Sequence, residues 1–120
     1  MNPLNLALRF ILEMVALFAT AFWGWRKYEN VLGILLAILL PIIIAVVWGV
    51  FAVPNDPSRS GKTVVATPGW IRLIIEFAIF SFGVWAFFDI GYFAVAYIFL
   101  SLIIVHYLFS ISRIKWLLTR

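Results

Sequence analysis

Arg9 and Glu13 stand four residues apart in an otherwise apolar stretch, and Arg72 and Glu76 repeat that spacing in another. Residues at i and i+4 share one face of a helix, so each Arg can reach its own Glu. Charge inside an apolar segment is costly and marks either pairing or function. Two chemistries suit such a pair: it can fasten helices, or its carboxylate can exchange a proton or hold a substrate. An adjacent guanidinium favours the ionised carboxylate, which makes a poor proton carrier at rest and favours fastening. Glu13 lies nine residues beyond Leu4, roughly 13–14 Å along a helix and too deep to reach water unaided. If the two helices pack side by side, Arg9 also meets Glu76 and Arg72 meets Glu13. The four residues then form one neutral cluster. Side chains lean toward a helix's N-terminus, so Arg9 and Arg72 are also placed to snorkel to headgroups at that end.

His106 is the one histidine of the chain, at a depth comparable to the Arg–Glu pairs, as is Trp48. An imidazole can titrate near neutrality, yet a histidine hydrogen-bonded between helices is the plainer reading. One His and no Cys supply neither a usual zinc set nor a bis-His haem site within one chain. Neither a metal nor a cofactor is expected. Glu, His and Ser110 or Ser112 carry no nucleophile motif, so an enzyme is the weakest reading.

The elements that position these residues follow from composition. Of 120 residues 66% are hydrophobic and 12% charged, against about 45–50% and 25% in soluble domains. Bilayer lipid is the solvent that fits such a chain. Four apolar stretches, at about 4–25, 31–53, 70–88 and 91–111, each match a hydrocarbon core of about 30 Å if helical. The expected fold is an all-α membrane protein: one domain of four transmembrane helices, arranged as two hairpins in a compact bundle. Arg26-Lys27-Tyr28-Glu29-Asn30 and the Asp89–Gly91 turn close the hairpins. Residues 54–69, rich in Pro, Gly and Ser, read as an exposed loop between them. Gly61-Lys62-Thr63 echoes the end of a phosphate loop, but Asp56 stands where a glycine is required. Ala19-Thr20-Ala21 looks like a signal cleavage site, yet the start lacks Lys or Arg, and Arg9 and Glu13 interrupt the apolar run, so the first stretch reads as a retained helix.

The repeated aliphatic-Arg-x-x-x-Glu at Leu8–Glu13 and Ile71–Glu76 suggests hairpins related by a pseudo-two-fold axis along the membrane normal. Arg9, Arg59, Lys62, Arg72, Arg113, Lys115 and Arg120 fall on one side, and only Arg26 and Lys27 on the other. The positive-inside rule then puts both termini in the cytoplasm. The net charge of +4 reads as attraction to anionic headgroups; no basic stripe or aromatic platform suggests nucleic acid. Gly33, Ala37, Pro41, Ala45 and Gly49 recur every four residues, which lets a neighbouring helix approach closely, with Pro41 as a bend.

NLALRFILE at the start, LPIIIAVVWGVFAVP closing the second stretch, IRLIIEF in the third and HYLFSISRIKWLL near the end together resemble the YrdB-like family of small bacterial membrane proteins. The resemblance covers nearly the whole chain. It implies four helices in a bacterial cytoplasmic membrane, in a domain of unknown function, and brings no activity with it. A non-enzymatic accessory or interaction protein is the leading expectation, with lipid and either a second copy or another membrane protein as partners. The alternative is a small dimeric proton-coupled transporter or channel using Glu13, similar in size to the small multidrug resistance exporters. An aqueous cavity at Glu13 favours the alternative; a dry, fully paired cluster favours fastening.

Overall fold

The computed structural model describes residues 2–59 and 62–120, so the phosphate-loop echo at Gly61-Lys62-Thr63 falls partly outside the described residues. The described residues form five helices: α1 (Pro3–Lys27), α2 (Asn30–Val50), α3 (Gly69–Asp89), α4 (Phe93–Leu108) and α5 (Ile111–Leu118). The first three are long and apolar enough to cross a membrane. α4 and α5 pass the same test only as a pair, bent by 69°.

Local chemistry sets the ends. The Asn2 side chain accepts from the Leu4 N–H at 2.8 Å and Pro3 occupies the first turn, a favourable helix start. Arg26 and Lys27 sit in the last turn of α1, where positive charge complements the helix dipole. α2 continues through Pro41 but stops at Val50, three residues earlier than the sequence predicts. Pro54 explains this in part, because the residue before a proline is disfavoured in helical conformation. Phe51–Ala52 (β1) instead pairs in parallel with Val65–Ala66 (β2), a two-residue bridge that the all-helical expectation did not include. Gly91 adopts φ +87° in the turn between α3 and α4, a conformation that glycine alone takes without strain.

The apolar core lies between α1, α3 and α4: Leu12, Ala16 and Ala19 meet Phe80, Val84 and Phe87, with Ala96, Phe99 and Ile103 closing it. α2 packs along α1 and buries only Gly33 and Ile44. At that seam a Cβ on Gly24 would lie 2.7 Å from the Leu36 Cβ and 3.2 Å from the Ala37 nitrogen. Gly33 abuts the Tyr28 carbonyl. The lower part of the small-residue stripe does not pack in the same way: a Cβ on Gly49 would meet nothing within 4 Å.

The two ends of the bundle are tied by different chemistry. At one end Trp23 Nε1 donates to Asp89 at 2.8 Å, Lys27 pairs with Asp89 at 3.0 Å and Arg26 donates to the Tyr92 hydroxyl. At the other end the chain start, residues 51–59 and α5 meet. Asn5 donates to Ser110 at 2.7 Å, Arg113 pairs with Asp56, and Gly69 lies directly against the Leu117 backbone.

Candidate functional site

That second end holds the charge cluster. α1 and α3 run side by side and bring Arg9 and Arg72 to Glu76, which is fully buried. Arg9 Nη2 lies 3.0 Å from Glu76 Oε2, and Arg72 Nε donates to the same oxygen at 2.9 Å. Arg113 adds two bonds, Nη1 to Oε1 at 2.9 Å and Nη2 to Oε2 at 2.7 Å. The Tyr107 hydroxyl donates to Oε1 at 2.8 Å. A carboxylate offers about four lone-pair sites, and every one has a donor here.

Arg113 reaches Glu76 because the chain breaks at Phe109–Ser110 and α5 turns across the start of α3. The sequence predicts a fourth helix running on to residue 111, with Arg113 in a tail beyond it. The bend instead buries Arg113, which also donates to both oxygens of Asp56, at 2.8 and 2.6 Å. Asp56 is 4% exposed, so the loop expected to be exposed is pinned inward at this point. Burial alone would push the Asp56 carboxyl up. The hydrogen bonds and charge of Arg113, with the Ser58 N–H at 2.9 Å, outweigh that and hold it below the usual carboxylate range.

Arg9 and Arg72 are 2% and 1% exposed, so they turn inward rather than snorkel. Arg72 Nη1 donates to the Trp48 and Phe51 carbonyls and thereby caps the end of α2. The Trp48 ring lies under both guanidinium groups, with centroid distances of 5.2 Å to Arg9 and 4.8 Å to Arg72. Among the described residues Arg72 forms no ion pair with Glu13, against the four-membered arrangement expected. Glu13 pairs with Arg9 alone, at 3.3 Å, with 22% of its side chain exposed. Arg9, Arg72 and Arg113 face Glu13, Asp56 and Glu76, so the charges balance three against three.

His106 extends the network. Its Nδ1 lies 2.8 Å from Asn5 Oδ1 and its Nε2 lies 3.4 Å from Arg9 Nη1. A guanidinium can only donate, which assigns Nε2 as the acceptor and Nδ1 as the protonated nitrogen of a neutral ring. Asn5 Nδ2 donates to Ser110 Oγ, and Ser110 Oγ donates to the His106 carbonyl, both at 2.7 Å. This chain holds the α4–α5 break in place. Asn5, Asp56, Tyr107 and Arg113 are the members that sequence reasoning did not place here, and Ser110 was weighed there only as a nucleophile. Arg113 alone carried a signal, at i+7 from His106 on a continued helix, and the bend makes that signal misleading.

Glu13 borders open space on two sides. Toward the loop lies a recess of about 300 Å³ between Arg9, Arg59, Arg72, Trp48 and Ser58. On the other side lies an apolar cleft of about 140 Å³ between α1, α2 and α3, lined by Met14, Leu17, Ile44, Ala45 and Ile79. Ala45 and Gly49 therefore line space rather than a helix contact. Among the described residues no cluster of His, Asp and Glu could hold a metal ion.

A helical chain with a largely buried ion network at one end matches a family described as "Protein of unknown function (DUF2568)" over residues 7–104. The chain belongs to that family. It is also 46% identical over 120 residues to the uncharacterized protein YrdB of Bacillus subtilis (strain 168), covering 100% of this chain and 98% of that protein. The YrdB-like resemblance read from the residues is thereby confirmed. The family match contains Arg9, Glu13, Asp56, Arg72 and Glu76 and stops before His106 and Arg113. No solved structure matches the chain.

Proposed function

We propose that the chain is an integral membrane protein of the bacterial cytoplasmic membrane that acts without catalysis, as an accessory or interaction protein, and that its Arg/Glu/Asp network is a fastening device. The observation that carries this reading is Glu76, fully buried with three guanidinium groups and a phenol on its two oxygens. No lone pair is left there for a substrate or a mobile proton.

Four spans are supported by length and by the ends of the bundle. α1, α2 and α3 are long enough singly. α4 has 16 residues, about 24 Å and short of the hydrocarbon core; the break at Phe109–Ser110 brings the segment to the lower end of the length that spans a bilayer, about 17–25 residues. α5 then lies across that end with Arg113 and Leu117 turned inward, as a short interfacial helix would. The long dimension of 45 Å suits a bilayer with its headgroup layers. Chain start, central loop and α5 share one end, and the excess of Arg and Lys there supports a cytoplasmic position for it. The matching Arg-x-x-x-Glu helices support two hairpins with an approximate two-fold relation, which α5 breaks.

Transport through Glu13 is the second reading, and one observation favours it: Glu13 borders open space on two sides. Paired variants separate the two. Glu76→Gln leaves three guanidinium groups short of a partner, and breaking a buried ion pair costs about 3–5 kcal/mol. It is expected to lower the melting temperature in detergent sharply, while Glu13→Gln stays close to the native value. In liposomes under a pH gradient, neither the native chain nor Glu13→Gln is expected to move protons. Proton flux that depends on Glu13 in a chain of unchanged stability would establish transport instead.

A further inference from the structure

Ser58 and Arg59 line the recess beside Glu13 and stand outside the ion network. Arg59 Nη1 and Ser58 Oγ are both sealed from bulk solvent and have no hydrogen-bond partner among the described residues. Arg59 is otherwise held by a single long bond, Nη2 to the Gly49 carbonyl at 3.3 Å. Unpaired polar groups call for a partner, and a guanidinium, which can only donate, calls for an acceptor.

Charge gives the same answer. Arg9, Arg72 and Arg113 are balanced by Glu13, Asp56 and Glu76. Arg59 is a fourth guanidinium at the same place, and among the described residues it has no ion-pair partner. The complement is a monoanion. Geometry adds a tail. Going away from the loop, the recess at Arg59 and Ser58 adjoins Glu13 and Gly49, and then the apolar cleft along Met14 and Leu17 of α1 and Ala45 and Ile44 of α2. Polar head and apolar wall thus follow one another along the helix axes, in the order in which a lipid lies in a leaflet.

We infer that this recess seats the phosphodiester head of a monoanionic phospholipid, held by Arg59 and Ser58, with an acyl chain in the cleft between α1 and α2. The inference rests on the chain being a membrane protein. If alkaline extraction releases the chain from membranes, that reading fails; if the chain stays inserted but shows no preference among lipids, only the present inference fails.

The test is native mass spectrometry of the full chain in detergent, titrated separately with phosphatidylglycerol, phosphatidylcholine and glycerol phosphate. Phosphatidylglycerol is expected to bind at least tenfold more tightly than phosphatidylcholine, and glycerol phosphate not to compete. Arg59→Gln abolishes the preference between the two lipids. Gly49→Leu fills the junction of recess and cleft, and because its Cβ enters open space the melting temperature holds while retention of both lipids falls. Equal binding of the two lipids overturns the proposal, as does a preference that survives Arg59→Gln. Competition by glycerol phosphate at the lipid's own concentration would identify a soluble phosphate as the ligand and overturn the lipid assignment. Occupancy by water alone, with no lipid adduct on the native chain, overturns it outright.

Discussion

At Glu76, withdrawing a carboxylate from water is offset by three guanidinium groups and the Tyr107 hydroxyl. Such a site tolerates the loss of a neutral donor better than the loss of its charge. Tyr107→Phe is expected to cost about 1.5–3 kcal/mol by denaturation in detergent, as a hydrogen bond to a charged group does, under the effect of Glu76→Gln; equal costs would mean that the phenol, not the ions, holds the site. Asp56 gives a pH signature. Its folded-state pKa is depressed, so its pairing with Arg113 contributes fully above the unfolded value of about 3.9 and is lost as pH falls through the lower folded value. Thermal stability is expected to hold from neutrality down to about pH 4 and to decline below it. Asp56→Asn should be less stable at neutral pH and flatter in acid; an unchanged acid limb would show that Asp56 does not carry the effect. The spacing made Arg9, Glu13, Arg72 and Glu76 legible as pairs on a helix face. It could not show that Glu76 rather than Glu13 is the hub, because two of the deciding groups, Arg113 and Tyr107, come from beyond position 100.

Among the elements, α5 depends on its crossing of α3. Gly69 meets the Leu117 backbone so closely that a methyl group has no room. Gly69→Ala is expected to cost about 1–3 kcal/mol, as overpacking does, and to move Arg113 away from Asp56 and Glu76. Melting of Gly69→Ala, read beside the same change at the open position Gly49, checks this; equal effects would contradict the contact. Apolar length made the four helical stretches legible to within a few residues, since bilayer-scale runs are the strongest signal a sequence carries. The ends of α2 and α4 were not legible. α2 ends where Arg72 captures its last carbonyls, and α4 ends where Asn5 and Ser110 hold a break; both depend on partners distant in sequence.

For the whole molecule, the two ends of the bundle have opposite characters. One is tied by Trp23, Asp89, Tyr92 and two basic residues, with aromatic rings clustered beside them. The other buries three ion-paired arginines beneath a loop and a short crossing helix. Chain start, loop and chain end meet there, so the central claim of four spans with that end in the cytoplasm can be read directly. The chain has no cysteine, so single cysteines can be placed at Glu29, Lys62 and Thr119 and probed in intact cells with a membrane-impermeant maleimide. The account predicts labelling at position 29 alone, with positions 62 and 119 reacting only after the cells are opened. Labelling of 62 or 119 from outside, or protection of all three sites until lysis, would contradict it.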